Sequence, residues 1–192
     1  TETLANFASK VAYEDIPPDV VHQSKRLILD TIGCTLGGYS TDRALVARNF
    51  VSSLGGNPQA TVLGSGEKTS ITSAAYVNGN MANILDNDET LFNFAHPAAP
   101  AVIGALTMAE REKATGRELI KAVAVGYDIA ARIGLATESY EGRPVGGFGW
   151  KTFGAASGAG IILRQTPEEM ASTFGLAGMF SPSPSVNHIL FG

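Results

Sequence analysis

Apolar positions recur at helical spacing from the start of this chain. Leu4, Phe7, Ala8 and Val11 fall on one face, Thr3 is placed to cap them, and Pro17-Pro18 interrupts the backbone afterwards. A second helix is predicted through Val20, Val21, Ser24, Leu27, Ile28, Thr31 and Ile32, with Lys25 and Arg26 on the other side and Gly37-Gly38 to end it. Asp42 suits the cap of a third, which runs through Leu45, Val46 and Phe50 and is closed by Gly55-Gly56. Asn57-Pro58 then reads as a turn leading into a short extended piece, Ala60-Thr61-Val62-Leu63. The following Gly64-Ser65-Gly66-Glu67-Lys68-Thr69 has the look of a phosphate loop, but Glu67 stands where such a loop places glycine directly before its lysine. Its acid would lie against phosphate, so a hairpin or helix lead-in is expected instead.

Residues 70–85 carry small side chains (Ala74, Ala75, Gly79, Ala82) between Tyr76, Val77, Met81 and Ile84, the composition of a central helix packed on all sides. Beyond His96-Pro97, another helix is marked by Val102, Ile103, Leu106 and Ala109 and finished by a solvated face at 110–113. Thr115-Gly116-Arg117-Glu118 is a capping box that opens a partner helix with Leu119, Ile120, Val123, Ala124 and Tyr127 inward. The glycine- and proline-bearing stretch 137–149 is the longest irregular segment, and such segments often line sites. A Gly/Ala-rich helix follows over 152–163. A second capping box, Thr166-Pro167-Glu168-Glu169, opens a last helix through Met170, Phe174 and Leu176, stopped by Ser181-Pro182-Ser183-Pro184. The fold expected is mainly α, a bundle-like domain of about seven or eight helices, centred on Ala74, Tyr76, Val77, Met81, Ile84, Val102, Leu106, Val123 and Tyr127.

Composition narrows the functional classes. The 192 residues fit one domain, and 44% apolar against 17% charged describes a well-buried body. A net charge of -4 with no basic stripe excludes a nucleic-acid role. Cys34 is the single cysteine and sits in an apolar run, so a buried core thiol is expected. No apolar run reaches the length of a membrane span and the first residues have no leader pattern, which points to a cytoplasmic protein without membrane partners. The terminal Ile-Leu-Phe-Gly closes no element, and the natural sequence is expected to continue past Gly192.

Chemistry concentrates in residues 78–97, N-G-N-M-A-N-I-L-D-N-D-E-T-L-F-N-F-A-H-P. Asp86 and Thr90, four residues apart, would face the same way if the helix continued so far, and His96 stands at the start of the next one. Three readings of the residues alone compete. Asp86-x-Asp88-x-Thr90 matches the D-x-D-x-T nucleophile motif of dehalogenase-type phosphatases, which needs a parallel strand before it, where Met81 and Ile84 would sit. Asp86, Asp88, Glu89 and His96 could hold a divalent ion, although no standard ligand spacing is present. The bland reading is a solvated acidic helix end with a structural histidine, in a non-catalytic helical structural or interaction module.

The segment N-x-N-x-A-N-x-L-D-x-D-x-T followed by His-Pro resembles the MmgE/PrpD family, which includes 2-methylcitrate dehydratases, cis-aconitate decarboxylases and an iminodisuccinate epimerase. Asp30-Thr31-Ile32-Gly33-Cys34, Thr115-Gly116-Arg117-Glu118, Ala124-Val125-Gly126-Tyr127-Asp128, Thr152-Phe153-Gly154 and Gly175-Leu176-Ala177-Gly178 are similar to family segments in the family's order. The resemblance implies the large helical domain of a two-domain enzyme, with a smaller α/β lid beyond residue 192, pairing as a homodimer. It also implies a lyase or isomerase that turns over a small di- or tricarboxylate without a cofactor or metal. It carries catalytic roles onto Asp86 and His96 and a substrate-binding role onto Thr90. A second family histidine ahead of the Thr-Phe-Gly has no counterpart in Gly147-Phe148-Gly149-Trp150-Lys151. Lys151 and Arg143 are the nearest cations for substrate carboxylates. Asp86 is expected to orient the His96 ring and Asp88 to matter less, while the helix start at Pro97 would attract an anion.

Overall fold

The computed structural model describes residues 1–91, 96–138 and 148–181. Within them the chain forms eight α-helices and one two-stranded hairpin, the mainly α fold that the periodicity predicts. Helix α1, Glu2–Lys10, starts from Thr1 rather than Thr3, with an acid in its first turn and a lysine in its last to complement the helix dipole. A 3-10 turn at Tyr13–Asp15 follows, in which the Asp15 side chain accepts from the Ala12 amide at 2.9 Å. Pro18 then opens α2, Pro18–Gly38, from the first turn, where its missing N–H costs nothing. Helix α3, Asp42–Leu54, is capped by Thr41, whose hydroxyl accepts from the Ala44 amide, and ends at Gly55 with φ of 63°.

The stretch that imitates a phosphate loop is a hairpin, β1 Ala60–Thr61 antiparallel to β2 Lys68–Thr69. It is anchored by Glu110, which accepts from the Thr61 amide (2.7 Å) and hydroxyl (2.5 Å) and pairs with Lys68 at 3.1 Å. Glu110 is therefore a structural acid, not part of a solvated face, and these donors together hold its carboxyl below the usual range against the effect of burial.

Helix α4, Ile71–Asn83, is capped by Ser70; α5 is Ala98–Glu112 and α6 is Gly116–Glu138, started by the Thr115–Glu118 exchange. A 3-10 turn at Phe148–Trp150 leads into α7, Lys151–Ile162, and the second capping box starts α8, Pro167–Met179. Helix α7 lies against both α5 and α6. Gly154 and Gly158 make this possible. A Cβ on Gly126 would stand 2.7 Å from the Gly154 carbonyl oxygen, and one on Gly158 3.1 Å from the Ala105 Cβ. The Gly/Ala segment is thus consumed inside the domain, where backbones approach as only small residues allow.

Val102, Val123, Ile129, Met170 and Phe174 fill the main core, and Ala47, Val51, Val62, Val77 and Met81 a second cluster between α3 and α4. Ala74, Val77, Met81, Val102 and Val123 are buried as expected, but Tyr76 is half exposed and Ile84, Leu106 and Tyr127 are partly buried. Helix α4 is a wall of the domain with one open side, not its axis. Leu45, Val46 and Phe50 of α3 also face outward, because Ala44, Ala47 and Val51 take the inward face. Leu176 is exposed, and Cys34 is half-buried rather than a core thiol. No described helix is long and apolar enough to cross a membrane.

Candidate functional site

The open side of α4 is where the polar residues gather. The helix stops at Asn83, and three residues later Asp86 adopts a left-handed backbone with φ of 53°, its amide still bonded to the Asn83 carbonyl at 3.0 Å. Helical geometry therefore does not extend to Thr90. Asp86 and Thr90 do not share a face: the Thr90 hydroxyl turns back to the Asp88 carbonyl at 3.4 Å, and Thr90 is not on the wall of the cleft that Asp86 lines.

That cleft, of about 810 Å³, is lined among others by Arg43, Tyr76, Asn83, Asp86, His96 and Lys151. Its size suits a small organic ligand. His96 sits between two carboxylates, Nε2 3.3 Å from Asp86 Oδ1 and Nδ1 3.2 Å from Asp88 Oδ1. The two acids differ sharply in setting, since the Asp86 side chain is 83% exposed and that of Asp88 is 0% exposed. Asn83 donates from Nδ2 to Asp88 Oδ1 at 2.8 Å, and the Glu89 amide donates to Asp30 of α2 at 3.2 Å, so the turn after α4 is tied from both sides.

Glu89 joins this turn to the next helices. One oxygen accepts from the Ala98 amide at the start of α5 (3.1 Å) and the other from the Tyr127 hydroxyl of α6 (2.5 Å). Burial pushes the Glu89 carboxyl up, against the pull of these two donors, and burial together with the Glu89 acceptor pushes the Tyr127 phenol up as well. The acceptor at the start of α5 is therefore supplied by the protein itself, through Glu89.

Lys151, the first residue of α7, also lines this cleft. Burial pulls its ammonium down to about 8, while Asp88, Glu89 and Asp86 pull the other way. The structure thus gathers Asp86, His96 and Lys151 into one cleft and leaves Thr90 off its wall. Arg143 lies outside the described residues. Asn83 and Arg43 are polar cleft residues to which the sequence assigns no role. Asn83 was visible within the N-x-N-x-A-N pattern, but Arg43, on α3, has no local pattern to mark it.

The phosphatase reading falls here, because Met81 is inside α4 and no parallel strand occurs among the described residues. Nor, among those residues, is any group of three or more His, Cys, Asp or Glu side chains arranged so that it could hold a metal ion. Residues 2–188 match the MmgE/PrpD N-terminal domain. The chain belongs to the MmgE/PrpD family. Among similar proteins, the cis-aconitate decarboxylase of Aspergillus terreus is 31% identical over 189 residues, covering 92% of this chain and 38% of that protein. The Homo sapiens cis-aconitate decarboxylase is 30% identical over 139 residues, 69% of this chain and 29% of that protein. A cis-aconitate decarboxylase-like protein of Aspergillus oryzae is 25% identical over 190 residues, 92% of this chain and 39% of that protein. The chain spans well under half the length of these curated relatives.

Proposed function

We propose that this domain carries the proton-transfer half of a cofactor-free lyase or isomerase acting on a small di- or tricarboxylic acid, of which cis-aconitate and 2-methylcitrate are the first to test. The observation that supports it most is His96, held at ion-pair distance from two carboxylates on the wall of a cleft whose other walls bring Lys151 and Arg43. Dehydration, decarboxylation and epimerisation of such acids each move a proton to or from carbon beside a carboxylate. Each needs an acid-base group at that carbon and cations for the carboxylates. His96 supplies the first. Lys151 and Arg43 supply the second, Lys151 as a compact point charge and Arg43 with a planar fork that matches a carboxylate. The names of the relatives favour decarboxylation of cis-aconitate within this class, and family membership favours a homodimer.

The test uses the full-length protein. It should turn over at least one of the two acids, and His96→Ala should lower kcat by about 10²-fold or more, the scale of lost general acid-base catalysis. Near-normal turnover in His96→Ala would overturn the assignment. Absence of turnover on every small polycarboxylate would leave a non-catalytic helical module as the better description.

A further inference from the structure

His96 has two carboxylate neighbours, and the structure separates their tasks. We propose that Asp88, not Asp86, is the positioning residue for His96: it accepts the Nδ1 proton and so presents Nε2 to the cleft. Asp86 is left to face substrate. This rests on the cleft being a proton-transfer site.

Three observations converge. The first is solvent. An ion pair with a carboxylate as open as Asp86 is screened and holds a ring weakly, whereas the Asp88 side chain is wholly shielded. The second is anchorage. Asn83 holds Asp88 Oδ1, Asp30 holds the next amide, and Glu89 fastens the same turn to the start of α5, two residues after His96. Asp86 stands outside these ties. The third is an unmet need: His96 Nδ1 and Asp88 Oδ2 are both buried and lack a hydrogen-bond partner, although Nδ1 is only 3.2 Å from the other Asp88 oxygen. Buried polar atoms rarely stay unpaired, and a small rotation of ring or carboxylate gives an Nδ1–H···O bond that satisfies both residues. A bond at Nδ1 fixes the tautomer, leaving the Nε2 lone pair free as the base.

The tautomer can be read without any substrate. In full-length protein labelled with ¹⁵N-histidine, a His96→Gln spectrum assigns His96 among the histidines, and neutral His96 should carry its proton on Nδ1. Asp88→Asn should move that proton to Nε2 and lower kcat by about 10²-fold with KM changed less than about threefold, as expected when a positioned base is lost but binding is kept. Asp86→Asn should leave the proton on Nδ1. An Nε2–H tautomer in the unaltered protein overturns the proposal, and this spectrum decides it even if Asp88→Asn does not fold. So does an Asp88→Asn protein with unchanged tautomer and kcat, or a shift of the proton caused by Asp86→Asn instead. If no acid is turned over while the tautomer is as stated, the functional reading has failed and the positioning role stands.

Discussion

A lysine ammonium at the position of Lys151 is subject to two opposing influences, partial removal from water and three nearby acids, and the first is the larger. With its pKa lowered to about 8, the ammonium proposed to hold a substrate carboxylate is lost as pH rises through that value. If the proposed function holds, kcat/KM of the full-length protein should therefore fall on the alkaline side of pH about 8, and Lys151→Arg should carry the limit upward, because arginine stays charged. Stability should show the opposite trend. Below about pH 8 both folded and unfolded chains hold the proton, and the cost of burying the charge is fully present. Between about 8 and the ordinary 10.5 only the unfolded chain holds it, so stability rises with pH. Lys151→Met should accordingly raise Tm more at neutral pH than near pH 10.5, measured by thermal unfolding at both. An equal gain at the two pH values would mean that the lysine is not desolvated in the way described.

Between residues and the whole domain, helix ends decide where the site can form. Glu89 closes the first turn of α5 and receives the Tyr127 hydroxyl of α6, so Glu89→Ala should cost about 1–2 kcal/mol in chemical unfolding, the scale of a lost cap. Helical glycines divide by surroundings. Gly33 of α2 has nothing within 4 Å of a would-be Cβ, and Gly33→Ala should add about 0.5–1 kcal/mol. Gly126→Ala should instead lose roughly 1–3 kcal/mol, because its Cβ would be driven against the Gly154 carbonyl of α7. These elements were also what the sequence revealed best. Thr115–Glu118 and Thr166–Glu169 announced their helices because a capping box is a local device, complete within four residues. The stop of α4 at Asn83 was not legible, since neither Gly nor Pro follows and the break comes from Asp86 entering a left-handed conformation. That misread turn is why Thr90 was expected beside Asp86. Glu110 looked solvated for a related reason, its partners Thr61 and Lys68 being more than forty residues away in the chain.

For the whole molecule, apolar periodicity was enough to read a mainly α domain, but not which helix is central. Small residues suit a helix packed on all sides and equally one wall of a cleft, and α4 is the latter. The small residues of the Gly/Ala segment serve an internal contact, that of α7 with α5 and α6. Sedimentation of the full-length protein should find a homodimer; a monomer at every concentration tried would remove that part of the proposal. Arg43 illustrates the remaining limit, since a residue far away in sequence reaches the cleft only through the packing of α3 on α4. Asp86, finally, puts durability and chemistry in conflict. A left-handed conformation costs a residue with a Cβ roughly 1 kcal/mol, and glycine is relieved of it. A library of variants selected only for surviving heat should then enrich Gly at position 86, and its hardiest members should be the ones that lack the proposed turnover.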